Sequence, residues 1–524
     1  MKTMGVGRSA GKKKEAQTMT DLIRGVAAAM VLLAIGNLSW AQTIPYQAVE
    51  RPSIGFGLGQ TEPAPGRVFQ PRVEATMQYF GNMTLAASGE PQTDLGGLEI
   101  APGFYASRST ESVTGAIDYS LIGRFWEDSD YDDVSHRLAA NGQWIALPDW
   151  FRVRAQAAYG DSVIDPVKGL NYGGLGVFSP ANLSEVATAS ASPVVQHRFG
   201  DFELVAQYDY GRVWYLDEGK GQPVVGFVTN QDSQDQTGNV SFGSVDRQSR
   251  LAAKIYYNWQ HTDFEEALDY AYERAGVDAG YRFSRTLTLV GDVGRESDLD
   301  VSTTEGGLDA NFWNAGLRWS PNDRTSAEAR IGERYFGDGY SFSFNHRARL
   351  LEFDASYSEQ PAVETRLLSL GDFDPGQLPP GLPEVGLGRV NSTPYLGKDS
   401  HVGIAAVGAR TRVDVTGYQF GRDYLRGVIG DETTTGVEID ATRQFASNLS
   451  GDLSLYYSDF ERIVTSSGPS GLADQNIYDT GITLRLNRTS GPRLTLSGET
   501  GFINRTGDAN HEGWWVALRA RWTP

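Results

Sequence analysis

Side chains that could perform acid–base or nucleophilic chemistry are few in this sequence. The 524 residues include six histidines and no cysteine, which excludes thiolate nucleophiles, thiolate metal sites and a disulfide framework. No histidine stands with a serine at a spacing typical of phospholipases or deacylases, and no aspartate–histidine pair resembles that of a protease. We therefore expect no catalytic residues and no enzyme. The histidines are His136, His197, His261, His346, His401 and His511.

Three aspartates, Asp128, Asp130 and Asp132, alternate in one polar segment and could offer carboxylate oxygens to a calcium ion. The segment fails the test for an EF-hand loop, because Asp133 stands where glycine is required and Ala139 where glutamate is required. We interpret the segment as a solvated loop, with adventitious binding of a divalent ion as the alternative. The sequence thus predicts no metal site and no cofactor.

Charged residues recur at every second position of several long segments. Successive side chains of a β-strand point to opposite faces, so such a segment would be ionic on one face and apolar on the other. We predict that the ionic faces line a water-filled lumen of mixed charge, suited to polar or hydroxylated solutes and to ions. The alternative is that these charges pair across neighbouring strands. The candidate lumen residues are Glu328, Arg330, Arg334, Glu438, Asp440, Arg485, Arg493, Arg519 and Arg521.

The segments that carry these residues have the length of membrane-spanning strands. Alternating stretches of about ten to sixteen residues continue from Val73 to the C-terminus, roughly twice the usual strand length in a soluble sandwich. Tilted strands of that length cross a bilayer. We predict an all-β fold, a transmembrane antiparallel up-and-down β-barrel of about 22 strands, with a range of about 18 to 24. An even count requires a weak strand near residues 239–244.

Two kinds of connection alternate along the chain, as in outer-membrane barrels, where short turns lie at one end and long loops at the other. Tight turns are predicted at residues 198–201, 283–286, 320–324, 448–450 and 488–492. Long polar loops are predicted at residues 127–133, 161–189, 218–236, 297–306, 361–399 and 463–474.

The N-terminus is typical of an export signal. Basic residues, the last of them Arg24, precede the uncharged stretch 25–36, and Ser39 and Ala41 are small residues at the −3 and −1 cleavage positions. We predict a signal peptide at residues 1–41, with cleavage after Ala41. The start of translation is either Met1 or Met19, since the basic region is long.

Three segments are therefore expected: the signal peptide at 1–41, a Pro-rich periplasmic segment at 42–72 and a barrel at 73–524. The segment before Val73 is too short for a globular plug, so we expect no plug domain and disfavour a siderophore-type receptor. The formal net charge of −19 repels nucleic acid. We expect the protein in the outer membrane of a Gram-negative bacterium.

Aromatic residues cluster near the ends of the segments, where amphipathic rings would form two girdles at the headgroup level. The girdle candidates are Trp126, Trp144, Trp150, Trp214, Trp259, Trp313 and Trp319. The final segment also has one apolar face ending in an aromatic, which resembles the C-terminal signal read by the barrel assembly machinery. That signal consists of Trp514, Val516, Leu518, Ala520 and Trp522, and it departs from the pattern in being followed by Thr523 and Pro524.

Several motifs between about residue 240 and the C-terminus resemble those of one known family. They are Val293-Gly294-Arg295-Glu296, the W-x-P-x-x-R-T motif at 319–325, the glycine-bounded stretch 332–337, His346-Arg347 and Tyr357-x-Glu359. In these motifs the chain resembles the outer-membrane barrel proteins of PEP-CTERM and exosortase systems, which are encoded among exopolysaccharide genes. The resemblance implies a barrel linked to making or exporting surface polysaccharide and sorted surface proteins. It supplies no catalytic residues.

The sequence therefore predicts a passive pore or conduit associated with exopolysaccharide export or surface-protein sorting. A general or solute-selective porin is the second hypothesis, and a structural or adhesive barrel closed by loops such as 161–189 and 361–399 is the third. Expected partners are outer-membrane lipid and lipopolysaccharide, the barrel assembly machinery and polysaccharide export components, but not nucleic acid. We also expect the combined substitutions Arg330→Glu and Arg334→Glu to shift ion selectivity without unfolding the barrel, since both side chains should face water.

Overall fold

The structure, a computed structural model, describes most of the chain after residue 65. The described residues are 66–82, 92–163, 170–172, 175–177, 183–216, 232–244, 250–265, 269–298, 308–362, 395–424, 431–463, 474–508 and 510–524. Nearly all of them lie in β-strands, and the helix found among them is a single 3-10 turn at Ser129–Tyr131. No helix in this part of the chain is long and apolar enough to cross a membrane. The predicted signal peptide lies outside the described residues.

Twenty-four strands follow one another along these residues. They are β1 (Gly66–Gly81), β2 (Leu95–Ser109), β3 (Val113–Trp126), β4 (Asp133–Leu147), β5 (Phe151–Val163), β6 (Leu170–Tyr172), β7 (Leu175–Val177), β8 (Leu183–Phe199), β9 (Phe202–Tyr215), β10 (Ser233–Ser244), β11 (Leu251–Phe264), β12 (Tyr270–Arg282), β13 (Leu287–Asp298), β14 (Leu308–Asn322), β15 (Thr325–Arg334), β16 (Gly337–Arg347), β17 (Leu351–Ala362), β18 (Tyr395–Val407), β19 (Thr411–Tyr424), β20 (Glu432–Ala446), β21 (Leu449–Arg462), β22 (Gln475–Ser490), β23 (Leu494–Gly507) and β24 (His511–Trp522).

Twenty-two of these strands form one closed antiparallel sheet, and β6 and β7 form a separate small hairpin. Each strand of the large sheet pairs with its neighbours in chain order, and β24 pairs with β1 from Val73↔Trp522 to Gly81↔Trp514. Closure removes the free edges that an open sheet would leave unpaired. The strand count confirms the prediction of about 22, and the expected weak strand is present as β10.

The connections at the two ends of the barrel differ, as the sequence predicted. At one end, called the turn end here, the described connections are short, and the five predicted tight turns all lie there. The described connections at the opposite end, called the loop end, include residues 127–132, while most of the other loop-end connections contain residues outside the described set. A two-residue turn at 335–336 between β15 and β16 is an exception at the loop end.

Several strand boundaries differ from the prediction at the loop end and at the N-terminus. β8 begins at Leu183 and β10 at Ser233, within stretches predicted as loops. β1 begins at Gly66, so it includes residues that the sequence assigned to the Pro-rich segment. Near the loop end of β10 the sequence is polar at every position, which removes the alternation that marks a strand.

Residues directly opposite each other on paired strands point to the same side of the sheet. Following these partners around the barrel divides the strand residues into two faces. One face holds large exposed apolar side chains such as Leu289, Leu317 and Leu484, and the other holds the buried ion pairs. Because burial requires the concave side of a barrel, the polar face is the lumen and the apolar face is the outer wall.

Candidate functional site

Eight of the nine candidate lumen residues lie on the lumen face of strands. Glu328, Arg330 and Arg334 share this face of β15, and cross-strand partners connect it to the corresponding faces of the other strands. The remaining five are Glu438 and Asp440 on β20, Arg485 on β22, and Arg519 and Arg521 on β24. Arg493 is the exception, because it lies exposed in the turn at 491–493 and not on a strand wall.

The arginines among these eight residues form ion pairs with carboxylates on the same strand or on nearby strands. Arg330 Nε donates to Glu328 at 2.6 Å, and Arg318 Nε reaches the other oxygen of Glu328 at 2.6 Å. Arg519 and Arg521 both contact Glu74 across the junction of β1 and β24, at 3.1 and 2.7 Å. The lumen is therefore an interlaced surface of both signs, as the cross-strand alternative expected.

Two of the ion pairs near the loop end are deeply buried. Arg505 Nε lies 2.6 Å from Asp479, with both side chains almost fully covered. Arg334 Nε lies 2.8 Å from Glu296, which also accepts a hydrogen bond from the Tyr272 hydroxyl at 2.8 Å. At the turn end, by contrast, the Arg318 side chain is 50% exposed. Ion pairs on the lumen wall thus differ widely in how far their side chains are exposed.

Trp126 does not belong to a girdle on the outer wall. The register of β3 and β2 places Trp126 opposite Gly97 on the lumen face, where its ring lies 5.9 Å from that of Phe80. It packs there against a buried apolar cluster that includes Trp515. The prediction for Trp126 is wrong because proximity to a segment end does not determine which face a side chain occupies.

The other aromatic candidates lie away from the lumen. Trp144 and Trp319 are exposed on the outer wall near the turn end, and Trp150 lies in a turn there, with its ring stacked on His197 at 3.6 Å. Trp214, Trp259 and Trp313 lie on the outer wall nearer the loop end. The residues of the predicted C-terminal signal share the outer face of β24, and they are Trp514, Val516, Leu518, Ala520 and Trp522.

The aspartates of the first polar loop have structural contacts. The Asp132 carboxylate accepts a hydrogen bond from the Trp126 backbone N–H at 2.7 Å, and Asp128 accepts one from the Asp130 backbone N–H at 3.1 Å. These bonds satisfy backbone donors around the 3-10 turn. Among the residues that the structure describes, no group of three acidic, histidine or cysteine side chains could hold a metal ion.

A polar recess with a volume of about 260 Å³ lies in the lumen wall formed by β10 to β13. Its lining residues are Asn239, Ser241, Lys254, Tyr256, Asn258, Arg274, Asp278 and Asp292. Asp292 accepts hydrogen bonds from Tyr256 at 2.8 Å and from Arg274 at 2.6 Å. Amide, hydroxyl, carboxylate and cationic groups thus converge on one concave surface, which suits a solute rich in hydroxyl groups.

One lumen cluster was missed by the sequence reasoning. Ser356 Oγ lies 2.8 Å from His401 Nδ1, and His401 Nε2 is hydrogen-bonded to the Asp354 carboxylate. Register brings the three together, because β17 and β18 pair across the connection 363–394. No local motif signals the contact, since His401 is 45 residues from Ser356 and 47 from Asp354.

Comparisons with known proteins bear on the fold. No family model matches the sequence, and no curated protein matches it. The FrpB iron transporter from Neisseria meningitidis (F5-1 variant) matches with 10% identity and a TM-score of 0.50, covering 87% of this chain and 82% of that chain. The apoprotein form of FrpB matches with 12% identity and a TM-score of 0.51, covering 87% of this chain and 81% of that chain. The siderophore receptor PirA from Acinetobacter baumannii matches with 8% identity and a TM-score of 0.47, covering 88% of this chain and 81% of that chain.

The closed sheet, its two-faced wall and the likeness to FrpB define the class: this chain is an outer-membrane-type β-barrel. At these identities the likeness concerns the fold. The expectation that a plug domain is absent stays a prediction, because residues 1–65 lie outside the described part of the chain.

Proposed function

We propose that this protein is an outer-membrane pore or conduit for polar polymers, and that its cargo is a surface polysaccharide. The observation that carries the proposal is a closed barrel of 22 strands whose inner face carries ionic side chains of both signs beside a smaller apolar cluster. Barrels with about 16 to 18 strands already enclose aqueous channels, and 22 strands give a larger circumference, which is wide enough for a hydrated polymer where no plug fills it. Fixed charges of both signs keep the wall wet without a strong preference for either ion.

Two further observations support a carbohydrate cargo. The recess between β10 and β13 presents amide and hydroxyl side chains with an aromatic residue, Tyr256, and such groups hydrogen-bond to sugar hydroxyls. The resemblance of motifs such as that at 319–325 to those of barrel proteins from exopolysaccharide loci favours the same cargo. In this proposal the chain is exported through its signal peptide, cleaved after Ala41, and inserted into a Gram-negative outer membrane by machinery that reads the outer face of β24.

Single-channel recording in a planar bilayer tests the proposal. The mature chain, predicted to begin at Gln42, is refolded and its conductance recorded with and without fragments of an acidic polysaccharide. We expect discrete conductance steps that the fragments interrupt, because a polymer that enters the lumen displaces ions. A matched neutral polymer that is too large to enter serves as the control for changes in viscosity.

Two other functions give different results in the same experiment. A general or solute-selective porin, which the polar recess also fits, would conduct ions without interruption by polysaccharide. Iron transport, the activity named for FrpB, would be indicated if a ferric chelate interrupted the current and polysaccharide did not. A silent but correctly folded barrel would contradict the pore proposal and favour the loop-closed structural barrel.

A further inference from the structure

A hydrogen-bonded chain of three lumen residues has the connectivity of a hydrolytic site. Asp354 and Ser356 lie two positions apart on β17, so their side chains share one face, and His401 stands directly opposite Ser356 on β18. The Asp354 carboxylate accepts a hydrogen bond from His401 Nε2–H, and His401 Nδ1 accepts one from the Ser356 hydroxyl at 2.8 Å. Such groups are recognised by their geometry and roles, not by their order in the chain.

The environment of the three residues suits chemistry in water. The side chains of His401 and Asp354 are 23% and 43% exposed, so a solute in the lumen can reach them. Asp354 fixes the imidazole in the tautomer whose free lone pair is on Nδ1, facing the serine hydroxyl. By contrast, His346 contacts Thr325 at 2.8 Å with the same hydroxyl–imidazole geometry, but this pair lies on the outer wall and not in the lumen.

Gly403 is the residue that gives Asp354 room to adopt this position. It lies opposite Asp354 on β18, and a Cβ atom built there would come within 2.6 Å of Asp354 Oδ1. A side chain at position 403 would therefore push the carboxylate away from the imidazole. The contacts of His401 with Ser356 and Asp354 therefore depend on the absence of a side chain at position 403.

We propose that Ser356, His401 and Asp354 form a site that hydrolyses carboxylic esters in the lumen. Ser356 Oγ attacks the ester carbonyl carbon while its proton passes to His401 Nδ1; the C–O bond to the alcohol then breaks, and the alcohol leaves with that proton. Water attacks the resulting acyl-serine, giving its proton to His401, and the acid is released as the proton returns to Ser356 Oγ. The net reaction consumes one ester and one water and yields one acid and one alcohol.

Side chains must stabilise the oxyanion, because the strand backbone N–H groups are engaged in the sheet. Ser343 and Asn345 on β16 stand directly opposite Ser356 and Asp354 and share their face, so a hydroxyl and an amide donor flank the nucleophile. The expected substrates are O-acyl groups carried on hydroxylated solutes. This choice of carrier rests on the proposed function, whereas the esterase activity itself does not.

Covalent labelling of the refolded full-length mature chain tests the site. The protein, in detergent micelles, is treated with a fluorophosphonate, and its modified peptide is identified by mass spectrometry; hydrolysis of p-nitrophenyl acetate is measured in parallel. We expect the label on Ser356. Ser356→Ala and His401→Gln should each abolish labelling and lower the hydrolysis rate at least about a hundredfold, the lower end of the range for loss of a general base. Thr325→Ala, which removes the matched hydroxyl–imidazole contact, should leave both unchanged.

Gly403→Ala separates a hydrolytic role from a structural one. We expect it to lower the hydrolysis rate while heat-modifiable migration on gels shows that the barrel remains folded. Absence of label and of hydrolysis in the folded wild-type protein would overturn the proposal, as would labelling confined to another serine. Neither result depends on a variant that could fail to fold. Conductance is measured separately, so failure of the esterase leaves the pore proposal standing.

Discussion

At the scale of single residues, lumen charges that look alike in the sequence have different roles. The Arg334 side chain is 13% exposed and contacts Glu296, whose side chain is fully buried. The Arg318 side chain, on the neighbouring strand, is 50% exposed although it also contacts a glutamate. Breaking a buried pair leaves an uncompensated charge, whereas an exposed pair contributes little to stability. Arg334 is therefore structural, and Arg318 is available to passing ions.

Charge reversal at these two positions should separate the roles. We expect Arg334→Glu to destabilise the barrel by about 3 to 5 kcal/mol, because it places a second carboxylate beside buried Glu296. Arg318→Glu should cost less than about 1 kcal/mol and shift conductance towards cations. Urea unfolding followed by heat-modifiable migration measures the first effect, and reversal potentials in a salt gradient measure the second. Equal loss of stability in both variants would show that the different burial of Arg334 and Arg318 does not affect the free energy of unfolding.

The sequence predicted the face of Arg334 but not its burial. Alternation along β15 is a local property, and it is enough to place the side chain on the lumen side. Burial depends on Glu296 and Tyr272, which lie 38 and 62 residues earlier in the chain and meet Arg334 through the sheet register. The expected tolerance of Arg334→Glu is therefore revised. For the same reason the contact of His401 with Ser356 could not be found by spacing.

At the scale of elements, the junction of β1 and β24 closes the barrel and depends on a glycine. The Trp514 ring lies over Gly81, and a Cβ atom built on Gly81 would come within 2.2 Å of Trp514 Nε1. Glu74 of β1 contacts Arg519 and Arg521 of β24 on the lumen side of the same junction. Packing and ion pairing thus act on opposite faces of one strand pair.

Alanine substitution at two glycines tests the importance of this junction. Gly81→Ala should displace the Trp514 ring and lower the temperature at which the folded band disappears from gels. Gly498→Ala on β23 is the matched control, because its Cβ would meet Leu518 at 3.5 Å, an ordinary contact. We expect the control to retain the wild-type transition. A Gly81→Ala barrel as heat-resistant as the control would contradict the view that the ring must rest on the glycine.

The sequence predicted strands better where one face meets lipid. Where a strand crosses the lipid, apolar and polar residues must alternate, so a count of about 22 strands could be inferred from the pattern. The weak strand β10 was inferred from the even number of strands that a barrel needs, and not from its alternation. Outside the part of a strand that crosses the lipid, neither face has to be apolar, so the alternation of apolar and polar residues disappears. The loop-end part of β10 reads Ser-Gln-Asp-Gln, which explains why that stretch was assigned to a loop. The prediction for Trp126 was wrong for a related reason, because the position of an aromatic residue near the end of a strand does not show whether it faces the lumen or the lipid.

Across the barrel as a whole, the proposed pore requires that the polar face encloses a water-filled passage and that the apolar face meets lipid. The closed register determines both faces at once, because a shift of one residue would exchange them. Lys254 and Ile255 are adjacent on β11 but belong to opposite faces, and both are exposed on their own side. The absence of cysteine from the chain means that a single introduced thiol can report on either face.

The most direct test is thiol modification during single-channel recording. We expect a negatively charged, water-soluble methanethiosulfonate to reduce the conductance of the Lys254→Cys protein in discrete steps, because the adduct enters the ion path. The Ile255→Cys protein should conduct normally and remain unchanged, since its thiol lies in lipid. Equal response of the two variants, or modification of Ile255→Cys alone, would contradict the assignment of lumen and outer wall on which the proposed passage depends.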